Sequence, residues 1–400
     1  MRPILCRCAL AVVIAGAWVL SRAALAGATP FVPQDDGTVL ERLPVSPLDP
    51  AVRRLQALRR QLAAEPDDLG LALRVASLYV DQGRVLSDPR YYGYAQSALA
   101  PWWGAAEPPA PVLVLRATIR QHGHDFESAL HDLSLALRAD PQSGQAWLTQ
   151  AVIQQVRGDY TAAKRSCQEV LQLASPLIAV TCLCSVNSLN GAAQQSYEVL
   201  MKTLDRERDA AASARLWALT VLAEIAARTG RPQLAEEHFK QALSLGPSDH
   251  YLLATYADFL LDQGRPLAVR DLLKDATRAD ALLLRLALAE DMVSAPDLAQ
   301  HVQALQDRFA AARLRGDTVH RREEARFALR LLKQPRTALQ LARDNWQVQR
   351  EPADARVLLE TALATGDRAA ARPVLDFLAR SGIEDAALAR LAAQLTDPHS

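Results

Sequence analysis

The stretch that decides the fold is AWLTQAVIQQVRGDYTAAKRSCQEVLQLASP, residues 146–176. It has the pattern of two helices joined by a tight turn. Gly158 can adopt the left-handed backbone conformation that ends a helix, and Asp159 is a residue type suited to start the next one. Ala151 and Ala163 are small enough for two helices to approach closely. The stretch therefore predicts an antiparallel helix pair with its closest contact at these alanines.

The same pattern returns further along the chain. Gly230 and Gly264 end two further predicted first helices and lie 34 residues apart. Since one pair cannot bury its own apolar face, a fixed period of this size indicates stacked units that complete one another's cores. The positions that carry the two later units are Leu219, Leu222, Ala223, Gly230, Ala235, Phe239, Ala242 and Pro247, then Leu253, Tyr256, Ala257, Gly264, Leu273 and Ala276.

These residues give the chain a resemblance to the tetratricopeptide repeat family, in which helix pairs of about 34 residues follow one another. The resemblance covers about Asp67 to Gly382 and is strong in roughly half of that span. It implies an all-α fold, a right-handed superhelix or α-solenoid of about eight helix pairs, with a capping helix from Glu384 to Leu395. It also implies a groove, lined mainly by the first helix of each pair, that binds other molecules.

Composition agrees with a helical array. Aromatic residues make up only 5% of the chain although hydrophobic residues make up 50%, and sheets favour aromatic and β-branched side chains. Lys and Arg number 45, as do Asp and Glu, and removal of the three arginines before residue 27 leaves 42 against 45. A protein that binds phosphate backbones normally carries a basic excess, so we expect no nucleic acid partner.

The N-terminus has the pattern of a secretory signal peptide. Arg2 and Arg7 precede an apolar run from Cys8 to Leu20, and Ala24 and Ala26 place small residues at the cleavage-determining positions. The alternative is a membrane anchor, but a bilayer requires roughly 20 apolar residues. We expect cleavage after Ala26, export to the periplasm, and no membrane span in the mature chain.

The rest of the chain divides by composition and period. The prolines after the signal peptide are spaced too closely for a helix to form. This segment is therefore either a disordered linker or a docked peptide. The predicted divisions are a signal peptide 1–26, an extended Pro-rich leader 27–49, an N-terminal helix 50–66, a repeat array 67–278, irregular helical repeats 279–351, and a C-terminal pair with its capping helix 352–400.

The groove positions of this chain depart from those of family members that clamp a terminal carboxylate with Lys, Asn and Arg. They are apolar around Leu148 and Val152 and acidic around Asp258 and Asp262. An acidic, aromatic-flanked patch suits a basic or apolar partner segment; the alternative is that these side chains are merely solvated. The candidate partner-binding residues are Trp217, Thr220, Glu224, Arg228, Tyr251, Asp258 and Asp262.

Three cysteines follow the signal peptide. Cys167 and Cys182 stand at similar distances on either side of the predicted break at Ser175–Pro176, so antiparallel helices joined there would bring them level. Export to an oxidising compartment permits a disulfide between them. The alternative is three buried free thiols, with Cys184 on another side of its helix.

No residue pattern predicts a metal, a cofactor or a catalytic centre. His122 and His124 flank Gly123 without a third ligand, and a metal site normally needs more. The chain also lacks a glycine-rich phosphate loop and a Gly-x-Ser-x-Gly elbow. We therefore expect no enzyme.

Two classes of function fit the sequence. The first is a periplasmic interaction module, an adaptor, scaffold or assembly factor that binds a protein or peptide of the cell envelope. The second is a small-ligand binder or an enzyme with a site in the irregular segment 282–351. Assistance to an envelope polysaccharide or secretion system remains a further alternative.

Overall fold

The computed structural model describes Asp35 and residues 50–86, 88–246 and 249–396. The predicted signal peptide 1–26 lies outside the described residues, as do the predicted leader 27–49 apart from Asp35, and Pro247 of the repeat pattern. The chain divides into two compact units, residues 1–54 and 55–400. In the first, the structure describes Asp35 and the start of one helix.

The described residues form 21 helices and no strand, as the all-α prediction requires. The helices are α1 Pro50–Ala64, α2 Leu69–Leu86, α3 Arg90–Ala98, α4 Ala100–Trp103, α5 Ala110–His122, α6 Phe126–Ala139, α7 Gly144–Val156, α8 Tyr160–Val170, α9 Pro176–Asn187, α10 Ala193–Arg206, α11 Ala212–Arg228, α12 Pro232–Leu243, α13 His250–Asp262, α14 Pro266–Leu273, α15 Asp280–Val293, α16 Leu298–Leu314, α17 Arg321–Arg330, α18 Pro335–Trp346, α19 Pro352–Thr365, α20 Arg368–Ser381 and α21 Ala386–Thr396.

In the second unit the helices pack as consecutive pairs, and each pair packs on the next. Across the described residues the pairs are α2/α3, α5/α6, α7/α8, α9/α10, α11/α12, α13/α14, α15/α16, α17/α18 and α19/α20, followed by α21 alone. The sequence predicted about eight pairs. The difference arises in the irregular segment, where α15/α16 and α17/α18 are two separate pairs of unequal helix length.

The pair α7/α8 shows how the local sequence builds a unit. Gly158 has a positive φ of 77°, which ends the first helix. The side chain of Asp159 accepts a hydrogen bond from the Ala162 backbone N–H at 2.9 Å and so caps the second helix. Ala151 and Ala163 are both buried, as their small size predicted.

The later helix pairs also pack against turns of earlier ones. The ring of Phe377 in α20 lies 5.9 Å from the ring of Tyr160, centroid to centroid. The backbone N–H of Arg350 donates to the Val156 carbonyl at 2.8 Å, and a Cβ at Gly158 would come within 2.8 Å of Phe377. One apolar core thus joins α7–α9 to α17–α21.

A buried charge cluster joins α5 and α6. The carboxylate of Asp132 is fully buried and forms ion pairs with the guanidinium nitrogens of Arg116 at 2.7 Å and of Arg120 at 2.8 Å. Arg116 also donates to the carbonyl of Trp103. Because a buried carboxylate needs compensating charge, these contacts fix α6 against α5.

Among the described helices, none has the length and apolar character that a membrane crossing requires.

Candidate partner-binding face

The candidate site is the surface on which the first helices α11, α13, α17 and α19 face one another. We call it the inner face and define it by Glu224, Tyr251, Asp258, Asp262, Arg326 and Arg356. Tyr251, Asp258 and Asp262 follow one another at intervals of seven and four residues, which places them on one stripe of α13.

Tyr251 is the most open aromatic residue of this surface, with 58% of its area exposed. Its hydroxyl donates a hydrogen bond of 2.5 Å to Glu224 of α11. Burial of the hydroxyl among the surrounding helices raises its pKa well above the usual value, and the charges of Glu224 and Glu351 raise it further. Glu351 precedes α19, so Tyr251 has protein on two sides while its ring remains accessible.

Burial also raises the pKa of Glu224, although Arg228 and the hydroxyl of Tyr251 act in the opposite direction. The carboxyl thus accepts a short hydrogen bond in a place where its charge is poorly solvated. Such a pair presents a fixed ring and a fixed acceptor to an incoming group. It can bind a partner through aromatic contact and hydrogen bonding.

Asp258 is held by two arginines. Arg285 of α15 approaches one carboxylate oxygen at 2.6 Å, and Arg326 of α17 approaches the other at 2.5 Å. Burial would raise the pKa of Asp258, but the two guanidinium groups outweigh this and lower it to about 2. The carboxylate is therefore charged and paired at neutral pH.

Asp262, one turn further along α13, forms a bidentate ion pair with Arg356 of α19, with distances of 2.6 and 2.7 Å. Arg356 in turn donates to Glu360 at 2.9 Å, and Arg330 of α17 reaches the same carboxylate at 2.9 Å. The acidic stripe predicted on α13 is therefore matched by arginines of three later helices, α15, α17 and α19. A bidentate geometry of this kind adds orientation to attraction.

A second network fixes the start of α19. Arg322 of α17 donates to Glu351 at 3.0 Å and lies 3.4 Å from Asp354. Asp354 accepts from the Glu351 backbone at 2.8 Å, which completes a capping box, and from the side chain of Asn345 at 2.8 Å. Burial raises the pKa of Asp354, with Arg322 acting against it. The network aligns α19 so that Arg356 reaches α13.

Three of the predicted site residues lie elsewhere or play another part. Thr220 is 2% exposed and donates to the Leu216 carbonyl at 2.8 Å, so it lies in the core and not on the groove surface. Trp217 is half-buried and packs against two core clusters. Arg228 is half-buried, and its guanidinium donates to the Ser188 hydroxyl at 3.0 Å.

The family pattern predicts a groove position for Thr220 in α11. It is buried because that turn of α11 packs against neighbouring helices, as its buried neighbours Leu219 and Val221 show. The groove prediction also missed Arg326 and Arg356, which stand 68 and 94 residues from their partners in sequence. No local pattern marks them.

Cys167 and Cys182 form a disulfide that joins α8 to α9, with their Cα atoms 5.6 Å apart. Cys184 is a buried free thiol, and burial raises its pKa to about 11. A thiol with so high a pKa is a poor nucleophile and ligand at neutral pH.

The two turn histidines pack into the fold. The ring of His122 stacks on Tyr92 with centroids 3.6 Å apart, and the Gln349 side-chain amide contacts Nδ1 of His124 at 2.7 Å. Burial lowers the pKa of both imidazoles to about 4. Across the described residues, no group of three or more His, Cys, Asp or Glu is arranged to hold a metal ion.

No family model matches the chain, and no curated protein matches it. Among solved structures, it is similar to a tetratricopeptide repeat protein from Parabacteroides merdae, with 15% identity and a TM-score of 0.43 over 60% of this chain and 92% of that one. It is also similar to the APC/C hetero-tetramer Cut9–Hcn1, with 14% identity and a TM-score of 0.40 over 87% of this chain and 53% of that one. A third similar structure is yeast Tom70, with 11% identity and a TM-score of 0.41 over 86% of this chain and 85% of that one. The stack of consecutive helix pairs is itself established by the packing of the described helices.

Proposed function

We propose that the protein is an exported interaction module of the periplasm, an adaptor, scaffold or assembly factor that binds a protein or peptide of the cell envelope on its inner face. The observation that carries the proposal is Tyr251, which is 58% exposed while its hydroxyl is held by Glu224 of α11. Tyrosine is enriched where proteins bind one another, because it offers a large rigid contact area with a polar end.

The electrostatics of the inner face favour a segment with basic or apolar side chains. Glu224 of α11 accepts a hydrogen bond from Tyr251, and Asp258 and Asp262 lie further along the same stripe of α13. The arginines of α17 and α19 already demonstrate that guanidinium groups fit these carboxylates, with distances between 2.5 and 2.7 Å. A partner arginine beside an apolar residue would engage the same carboxylates and the ring of Tyr251.

Two features support the proposed compartment. The first is the signal-peptide pattern of residues 1–26. The second is the disulfide between Cys167 and Cys182, since disulfides persist chiefly in oxidising compartments. The two features are independent, because one depends on the N-terminus and the other on the register of α8 and α9.

The test is in-cell crosslinking of the tagged full chain in its own host, followed by affinity purification and mass spectrometry. Tyr251→Ala is the probe, and Tyr94→Ala is the matched control because Tyr94 is 49% exposed on α3, away from the inner face. One or a few envelope proteins should be recovered with the wild type and with Tyr94→Ala, and lost with Tyr251→Ala. Equal recovery with both variants contradicts the inner face as the binding surface. Recovery of no specific protein contradicts an interaction module and favours the small-ligand alternative.

A further inference from the structure

Two ion pairs of the inner face skip neighbouring helix pairs. Asp258 binds Arg326 across 68 residues, and Asp262 binds Arg356 across 94 residues. In a stacked repeat array each unit normally contacts only its neighbours, and the shape follows from the sum of neighbour interfaces. These contacts instead join α13/α14 to α17/α18, with one pair between them, and to α19/α20, with two pairs between them.

The skipping contacts are polar and partly open to water. The side chains of Asp262 and Arg356 are 39% and 33% exposed. Exposed ion pairs are screened by salt and by competing charges, whereas apolar contacts are not. The links across the inner face are therefore of the kind that can be broken while the fold stays intact.

The second helices of the C-terminal pairs, α18 and α20, are held differently. Phe377 of α20 packs against Tyr160 and over Gly158, and Trp346 of α18 meets Phe377 edge-on with centroids 5.3 Å apart. This contact is apolar and buried, and it persists when ions compete. The C-terminal pairs thus contact α7–α9 through one apolar core and α15/α16 through a second, in which Phe309 and Phe327 meet and on which Leu261 of α13 packs. Their direct contact with Asp258 and Asp262 on the stripe of α13 is ionic.

We propose that Asp258, Asp262, Arg326 and Arg356 form an ionic clasp that holds the inner face closed, with the apolar contact at Phe377 as the fixed side. Opening the clasp widens the distance between α13 and α19 and frees the Asp262 carboxylate for a partner segment that contacts the exposed Tyr251. The closed state is autoinhibitory because the chain's own arginines occupy the carboxylates that a basic partner would use. The part of the proposal that concerns access depends on the proposed function, whereas the clasp itself does not.

The clasp is tested on the isolated full chain by hydrogen exchange of the α13 and α19 amides. The variants are Asp262→Asn, Arg356→Gln and their combination, with Arg343→Gln as the control because Arg343 is exposed on α18 outside the clasp. Loss of a bidentate charged pair should speed exchange in both helices about tenfold. The double variant should equal Arg356→Gln, since that change alone already removes the pair with Asp262 together with the contact to Glu360.

Ionic strength gives a second test, which is made on the wild type and does not depend on how a variant folds. High ionic strength should speed exchange of α13 and α19 in the wild type and leave Arg356→Gln almost unchanged. Unchanged exchange in all variants overturns the clasp, as does an additive effect in the double variant or a change in Arg343→Gln.

Partner access is tested by repeating the crosslinking with Arg356→Gln. A higher yield of the same partner than with the wild type supports autoinhibition. An equal or lower yield together with faster exchange overturns the access role and leaves the clasp. Recovery of no partner from any variant contradicts the proposed function alone, because the exchange result stands independently.

Discussion

Replacing Cys167 and Cys182 together by alanine should lower the stability of the region around α8 and α9 by about 3 kcal/mol. The magnitude follows from the separation of the two cysteines, which is 15 residues. In the chain-entropy model, a cross-link that closes a loop of this length lowers the conformational entropy of the unfolded chain and so destabilises the unfolded state by about 3 kcal/mol. Both cysteines are changed so that no unpaired thiol remains to form other bonds.

The assay is hydrogen exchange read peptide by peptide, because a long repeat array need not unfold in a single step. A loss of about 3 kcal/mol corresponds to roughly 100-fold faster opening of α8 and α9. The wild type treated with a thiol reductant should reach the same rates as the double variant. Cys184→Ala serves as the control, since Cys184 lies outside the bond and should leave the response to reductant unchanged.

Counting reactive thiols checks the same reasoning. The folded oxidised chain should show no reactive thiol, because Cys184 is buried and its pKa is raised to about 11. Unfolding should expose one thiol, and reduction should release two more from the disulfide. Wild-type stability that does not respond to reductant, or three free thiols in the protein purified from its host without reductant, refutes the account.

Three further predictions concern other parts of the fold. Asp132→Ala should destabilise α5/α6 by about 3 kcal/mol in denaturant unfolding, because it leaves Arg116 buried without its carboxylate, and the Arg116→Leu/Asp132→Leu variant should recover much of this. Gly158→Ala should cost more stability than Gly230→Ala, because both have positive φ but only at Gly158 would a Cβ meet Phe377, at 2.8 Å; equal thermal shifts would contradict that contact. The stability that the Asp258 carboxylate contributes should be present above its unfolded pKa of 3.8 and disappear as the pH falls towards 2, because its pKa is lowered in the fold. Comparing the unfolding of wild type and Asp258→Asn across this range measures the effect, and a difference as large at pH 2 as at neutral pH would contradict it.

The features that sequence predicts well depend on a few neighbouring residues. Gly158, Asp159 and Ala151 have the conformation, the capping hydrogen bond and the burial expected of them. Each expectation uses a relation within one unit of about 34 residues. The irregular segment is harder to predict because α16 extends over 17 residues, which shifts the following turn out of period.

The features that sequence missed depend on how successive pairs rotate relative to one another. A small rotation per unit accumulates, and it decides which later helix comes to face α13. Asp262 has the same local surroundings whether it meets solvent, a partner or Arg356, so the local pattern cannot distinguish these outcomes. The same holds for Phe377, whose contact with Gly158 joins residues more than two hundred positions apart.

On the inner face, opposite charges lie on facing helices, a separation that the balanced composition of the whole chain does not reveal. The chain as a whole has equal numbers of acidic and basic side chains. On the inner face, however, the carboxylates Asp258 and Asp262 lie on α13 and the guanidinium groups Arg326 and Arg356 lie on α17 and α19. Separating the two signs onto facing helices makes the closed state self-complementary. It also makes each side, once opened, complementary to a charged partner. A partner with basic side chains gains the carboxylates but must compete with groups already in place, so its affinity should rise when Arg356 is neutralised.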